Sequence, residues 1–150
     1  MHKKNLTIKE TFALAFQNYQ KNNLKIAENL YKEILETNPN HAATHNNLGI
    51  VFKKLGEREK AMNSYQKAIE IQPDYAQAHF NLGIVFKELE EFQKAINCYQ
   101  KAVEINPNYP ATYFNLGIAF KELGEFAKAV RNYQKAIEIQ PDYAQAHFNL

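Results

Sequence analysis

Four of the five prolines, Pro39, Pro73, Pro107 and Pro141, stand 34 residues apart, and Gly49, Gly83 and Gly117 keep the same interval. A chain with that period folds as a row of like units, each burying its apolar face on the next, rather than around one unrepeated core. The units are residues 8–41, 42–75, 76–109 and 110–143, and residues 144–150 open a truncated fifth. They are read together as a single domain over residues 1–150.

Within each unit apolar residues recur three and four apart in two runs, which predicts a helical hairpin. In the second unit helix A carries Leu48, Phe52 and Leu55 and ends at Gly56, where a left-handed residue is expected. Helix B carries Ala61, Tyr65, Ala68 and Ile69 and stops before Pro73, because the residue preceding a proline is pushed out of helical geometry. The pairs Gly49 with Ala61, Gly83 with Ala95 and Gly117 with Ala129 predict close approach of the two helices. At the A–B turn the units carry Asn22, Gly56, Glu90 and Gly124. If that position has positive φ, Glu90 costs on the order of 1 kcal/mol there.

The pattern His45, Leu48-Gly49, Phe52, Ala61, Tyr65, Ala68, Pro73 resembles a tetratricopeptide repeat. The third unit repeats it as His79, Leu82-Gly83, Phe86, Ala95, Tyr99, Ala102, Pro107, and the fourth as Tyr113, Leu116-Gly117, Phe120, Ala129, Tyr133, Ala136, Pro141. The first is degenerate, with Ala15 for the glycine and Asn18 for the aromatic. The resemblance implies an all-α fold, a right-handed superhelical solenoid of helix-turn-helix hairpins whose concave wall is made by the A helices.

With Leu48 and Phe52 turned toward helix B, the opposite side of helix A presents Asn46, Asn47, Ile50, Lys53 and Lys54. Asn47, Asn81, Asn115 and Asn149 form a ladder of amides, each able to donate and accept a hydrogen bond as an extended peptide backbone requires. Phe80, Phe114 and Phe148 with Ile50, Ile84 and Ile118 make an apolar stripe beside it that a ligand's side chains would cover. Lys53, Lys87 and Lys121 repeat along the same wall as a solvated edge that also favours acidic ligands. The ladder is similar to that in the tetratricopeptide arm of O-linked N-acetylglucosamine transferases, which implies a hold on substrate backbone. The chain departs from the family members that clamp chaperone tails, for Phe12, Gln77, Asn81, Ala111 and Asn115 stand at the clamp positions and only Asn47 fits. A terminal carboxylate would meet no fixed cation there.

Catalysis is not expected. His45, His79 and His147 share one repeat slot, with Tyr113 in the fourth unit, so they lie about a helix diameter apart and cannot converge on a metal. Cys98 has no sequence-local base and reads as packing. No phosphate loop, metalloprotease helix or nucleophile elbow occurs, and no cofactor is expected. With 18 Lys+Arg against 16 Asp+Glu the net charge of +2 is too small for nucleic-acid or membrane-surface binding. A single cysteine suits a reducing compartment, and Lys3 and Lys4 are not followed by a signal-length apolar run, so the expected address is cytoplasmic.

The sequence therefore predicts a protein–protein interaction module that takes an extended peptide in its groove. Two alternatives remain. One is the substrate-recruiting arm of a larger modifying enzyme, glycosyltransferase-like, with its catalytic domain beyond Leu150. The other is a self-assembly scaffold in which Phe148 and Leu150 of the truncated repeat drive end-to-end or helix-exchanged contacts.

Overall fold

The computed structural model describes residues 5–150, and these residues form helices without a strand; Lys3 and Lys4 lie outside them. The helices run in pairs: α1 (Ile8–Gln20) with α2 (Leu24–Thr37), α3 (Ala42–Lys54) with α4 (Arg58–Ile71), α5 (Ala76–Glu88) with α6 (Phe92–Ile105), and α7 (Pro110–Glu122) with α8 (Phe126–Ile139). A shorter α9 (Ala144–Asn149) follows α8. Besides the pairing within hairpins, α2 packs on α3, α6 on α7 and α8 on α9. The all-α repeat fold read from the period is the fold that forms. It divides into two compact units, Met1–Pro73 and Asp74–Leu150.

Each hairpin turns where the period says. Asn22, Gly56, Glu90 and Gly124 have φ of 64°, 79°, 60° and 77°. The next residue's N–H then reaches back five positions to close the helix, as Glu91 does to the Phe86 carbonyl at 2.9 Å and Glu125 to that of Phe120 at 2.9 Å. An added Cβ at Gly56 or Gly124 would meet nothing within 4 Å, so the cost carried at Glu90 is backbone strain rather than collision. The B helices end on Asn38, Gln72, Asn106 and Gln140, each before a proline and each at φ between −134° and −129°.

The spine of the core is one tyrosine per B helix: Tyr31, Tyr65, Tyr99 and Tyr133 are all buried. Ala61, Ala95 and Ala129 are buried too, and the rings give the helix A glycines their reason. A Cβ on Gly49 would lie 2.6 Å from Tyr65 Cε1, one on Gly83 2.6 Å from Tyr99 Cε1, and one on Gly117 2.5 Å from Tyr133 Cε1. Glycine is required because an aromatic face lies directly on the backbone of helix A. The first repeat carries Ala15 in that slot, and both Ala15 and Tyr31 are buried.

The outer face is charged. Lys67 pairs with Glu70 at 3.4 Å, Lys101 with Glu104 at 3.2 Å and Lys135 with Glu138 at 3.5 Å, all exposed helical neighbours worth tenths of a kcal/mol each. Glu28 differs, since it is buried. Burial pushes its carboxyl up, but hydrogen bonds from Lys32 (2.6 Å) and Lys25 (2.9 Å) outweigh that and bring it below the usual range.

Candidate functional site

The residues proposed to line a groove sit on the A helices opposite the buried leucines. Two of them, Asn46 and Asn115, are buried. Helix phase places Asn46 on the open side, yet it is 1% exposed and donates from Nδ2 to Asn47 Oδ1 at 3.3 Å. Its counterparts one and two repeats on are Phe80 and Phe114, which pack on the helix B tyrosine of their own repeat.

Neither phenylalanine stands alone. Phe80 packs against Tyr99 (ring centroids 5.8 Å apart) and edge-on against Tyr109 (5.5 Å), and Phe114 does the same with Tyr133 (5.8 Å) and Tyr143 (5.5 Å). In the first repeat Phe12 lies between Tyr31 and His41. Phe80, Phe114, Ile84 and Ile118 are half-buried against the core of the second unit, whereas Phe148 is 90% exposed. The clasping residues were missed by sequence reasoning, although Tyr75, Tyr109 and Tyr143 keep the same 34-residue interval.

The asparagine amides have partners within the protein. Asn47 Nδ2 donates to the Tyr31 hydroxyl at 3.2 Å. Asn81 Oδ1 accepts from Gln77 Nε2 at 3.4 Å. Asn115 is buried and used at both ends, accepting from Lys87 Nζ at 2.6 Å and donating to the Ala111 carbonyl at 2.8 Å. Asn149 Nδ2 donates to the Gln145 carbonyl at 2.8 Å. A ligand that takes backbone bonds from this ladder must displace these. The lysine row is a solvated edge only in part: Lys121 is exposed, whereas Lys53 and Lys87 are half-buried.

The space along the two faces is unequal. In the first unit Phe16, Tyr19, Tyr31, Asn47 and Ile50 enclose only about 30 Å³. Phe16 stacks on Tyr19, over which Lys54 Nζ sits 4.9 Å from the ring centre. In the second unit a cleft of about 440 Å³ opens between Tyr75, Gln77, Phe80, Asn106, Tyr109 and Thr112. That volume lies within the range of ligand sites, and none of the side chains lining it is charged.

The histidine slot anchors structure. His45 Nε2 lies 2.8 Å from the Pro39 carbonyl, His147 Nε2 2.7 Å from that of Pro141, and the Tyr113 hydroxyl donates to Pro107 at 2.9 Å. A carbonyl only accepts, so these histidines carry the proton on Nε2 and each ring ties helix A to the proline turn before it. Among the described residues no three His, Cys, Asp or Glu side chains gather as metal ligands. Burial pushes the Cys98 thiol up to about 11, away from nucleophilic use near neutrality. Among the described residues no helix is long and apolar enough to cross a membrane.

Paired helices locked by a tyrosine on a glycine, repeated every 34 residues, define a helical-hairpin repeat protein. The family profile described as TPR repeat matches residues 51–90 and 85–124, and the one described as tetratricopeptide repeat matches residues 110–143. The chain belongs to the tetratricopeptide repeat family and is a protein-interaction module of that class. No curated protein sequence matches it. Among solved structures it is similar to MamA, at 29% identity and a TM-score of 0.82 over 89% of this chain and 78% of that one. MamA from Desulfovibrio magneticus RS-1 shares 20% identity with a TM-score of 0.86 over 95% and 81% of the two chains. YrrB, described as a TPR protein with an unusual peptide-binding site, shares 22% identity with a TM-score of 0.81 over 95% and 74%.

Proposed function

We propose that the unit Asp74–Leu150 binds an extended stretch of polypeptide along its A-helix face and acts by binding alone. The observation that carries this reading is the uncharged 440 Å³ cleft beside the half-buried stripe of Phe80, Ile84, Phe114 and Ile118. The stripe supplies apolar area, and Asn81, Asn115 and Asn149 supply amides for the ligand backbone. Because those amides have partners in the free protein, each new bond replaces an old one, and the net gain per amide is on the order of 1 kcal/mol or less. Lys87 and Lys121 flank the track, and Lys87, once displaced from Asn115, is placed to meet a ligand carbonyl or carboxylate. In the unit Met1–Pro73, Asn47, Ile50 and Lys53 hold the same repeat positions with less space around them, and we assign them the same role. YrrB offers a precedent for peptide binding on this fold.

The test is a peptide-array screen followed by titration of the best binder against the wild type and the Asn47, Asn81, Asn115→Ala triple variant. A loss of roughly tenfold or more is expected, corresponding to about 1.4 kcal/mol spread over the amides. Equal capture by a folded triple variant removes the ladder from the mechanism. If Ile84→Ser and Ile118→Ser also bind as wild type, the groove itself is excluded.

A further inference from the structure

A second cleft lies on the other side of α7. Tyr113, Leu116 and Phe120 follow one another at three and four residues, and at about 100° per residue they face away from Asn115 and Ile118. With Val103 of α6 they floor a space of about 390 Å³ that is open to solvent, walled by Gln100 and by Lys128, Arg131 and Asn132 of α8. It shares no residue with the cleft at Phe80, and both charged residues in its lining are cations. The two cations are not equivalent. Lys128 pairs with Glu125 and rests over the Phe120 ring, its Nζ 5.4 Å from the centroid, so a carboxylate already answers its charge. Arg131 is exposed, and among the described residues it makes no ion pair or hydrogen bond. It also breaks the repeat, because the three earlier units carry Asn29, Asn63 and Asn97 at its place. On α6, Val103 stands where α4 and α8 carry Ile69 and Ile137, one methylene larger. A chain that copies itself thus departs from its copies at two places in one cleft, adding a charge and removing a methylene.

We propose that this cleft is a second docking site, and that it takes a segment of a partner protein in which a large apolar residue sits beside an acidic one. The apolar side chain lies on the floor of Val103, Leu116 and Phe120, and the carboxylate meets the Arg131 guanidinium. Charge complementarity chooses this occupant. A guanidinium takes a carboxylate through two parallel N–H bonds, whereas a purely apolar segment would leave it unanswered and a basic one would be repelled. The open shape suits a side chain presented by a polypeptide better than a small molecule, whose sites bury most of its surface. The site does not depend on the asparagine track, which runs along the opposite side of α7.

The test titrates the whole chain, followed by NMR, with short Gly/Ser peptides holding a central Asp-Phe-Asp, Asn-Phe-Asn or Asp-Ser-Asp, up to about 1 mM. The Arg131 Nε–H resonance and the Val103 and Leu116 methyls should shift with Asp-Phe-Asp, and either control should bind at least about fivefold more weakly. Arg131→Asn, which restores the residue of the other repeats at an exposed position, should bring Asp-Phe-Asp down to the affinity of Asn-Phe-Asn and leave the circular dichroism of the protein unchanged. Arg131→Lys should recover only part of the loss. Val103→Ile, which narrows the floor, should weaken both phenylalanine peptides. Absence of these shifts, or equal affinity in Arg131→Asn, overturns the proposal. Phenylacetate binding as tightly as the peptide would put a small carboxylate there, and the same shifts on concentrating the protein alone would put a second copy there; either overturns the choice of partner. The Asn47, Asn81, Asn115→Ala variant should bind Asp-Phe-Asp as wild type does, so a loss there would move the peptide to the asparagine track and remove the second site.

Discussion

Tyr31 with Asn47 in the first unit and Tyr99 with Asn115 in the second occupy the same places in the repeat, yet they bond differently. Asn47 donates to the Tyr31 hydroxyl, whereas Asn115 is turned to Lys87 and Ala111, and among the described residues nothing lies within hydrogen-bond reach of the Tyr99 hydroxyl, which is fully buried. Two departures of the first repeat from the later ones accompany this. The residue 28 positions before Asn115 is Lys87, whose ammonium holds the amide oxygen while the amide nitrogen donates to the Ala111 carbonyl; the residue 28 before Asn47 is Tyr19, which carries no ammonium. The glycine under Tyr99 is Ala15 under Tyr31, so the two rings rest on different surfaces. The repeat fixes where a side chain starts, and its unrepeated neighbours decide what it holds.

The largest expected effect tests the second difference. Gly83→Ala would place a methyl 2.6 Å from a buried ring atom of Tyr99, and neither the ring nor the helix backbone is a flexible end that can swing aside. We expect a loss of about 2–3 kcal/mol in denaturant unfolding, typical of overpacking. A loss below about 0.5 kcal/mol would mean that Tyr99 slides over alanine as Tyr31 does over Ala15, and the two units would then differ only through the lysine.

Removing the hydroxyls should give opposite signs. Tyr31→Phe leaves Asn47 without its acceptor and should cost about 1 kcal/mol, while Tyr99→Phe removes a buried hydroxyl that has no partner and should gain about 1 kcal/mol. The same pair has a pH signature. Burial holds the Tyr99 phenol above its ordinary value near 10, so its folded form keeps the proton more tightly than the unfolded chain. Its contribution is whole below about pH 10 and falls as pH rises further. Unfolding midpoints at about pH 8 and pH 11 should therefore differ less in Tyr99→Phe than in wild type. If the two Phe variants shift stability in the same direction, the bonding contrast is not real.

Most of the fold was legible from the sequence because a 34-residue period combines helix, turn and packing signals that agree with one another. The positive φ at Glu90 was readable only by alignment with Gly56 and Gly124, since nothing local in Leu-Glu-Glu announces it. The groove was harder. Asn46 was misplaced because a helix wheel anchored on Leu48 and Phe52 gives no account of what covers the flank of that face. The bonds of Asn115 and Asn47 were invisible because they join side chains 28 and 16 positions apart, a separation that the periodicity within one helix does not report. The turn provides its own check within the second unit, where Glu90 and Gly124 hold the same backbone conformation. Glu90→Gly should gain about 1 kcal/mol, and Gly124→Glu should lose a similar amount. Unfolding midpoints that do not move oppositely in the two variants would show that side-chain contacts, not φ, set the energy there.

The smallest effect isolates Lys87. Lys87→Met keeps the length of the side chain and removes the ammonium, so by itself it should change stability by only a few tenths of a kcal/mol. Its value lies in combination. Without Lys87 the Asn115 amide is free to turn as Asn47 does and to satisfy the Tyr99 hydroxyl, so Tyr99→Phe, stabilising in the wild type, should become neutral or destabilising in the Lys87→Met background. A double-mutant cycle measures that coupling directly, with an expected interaction of about 1 kcal/mol. The Asn115 side-chain amide resonances should move in Lys87→Met and move again when Tyr99→Phe is added. An additive cycle would mean that the lysine does not decide the partner, and the difference between the units would have to be sought in the glycine and alanine beneath the rings.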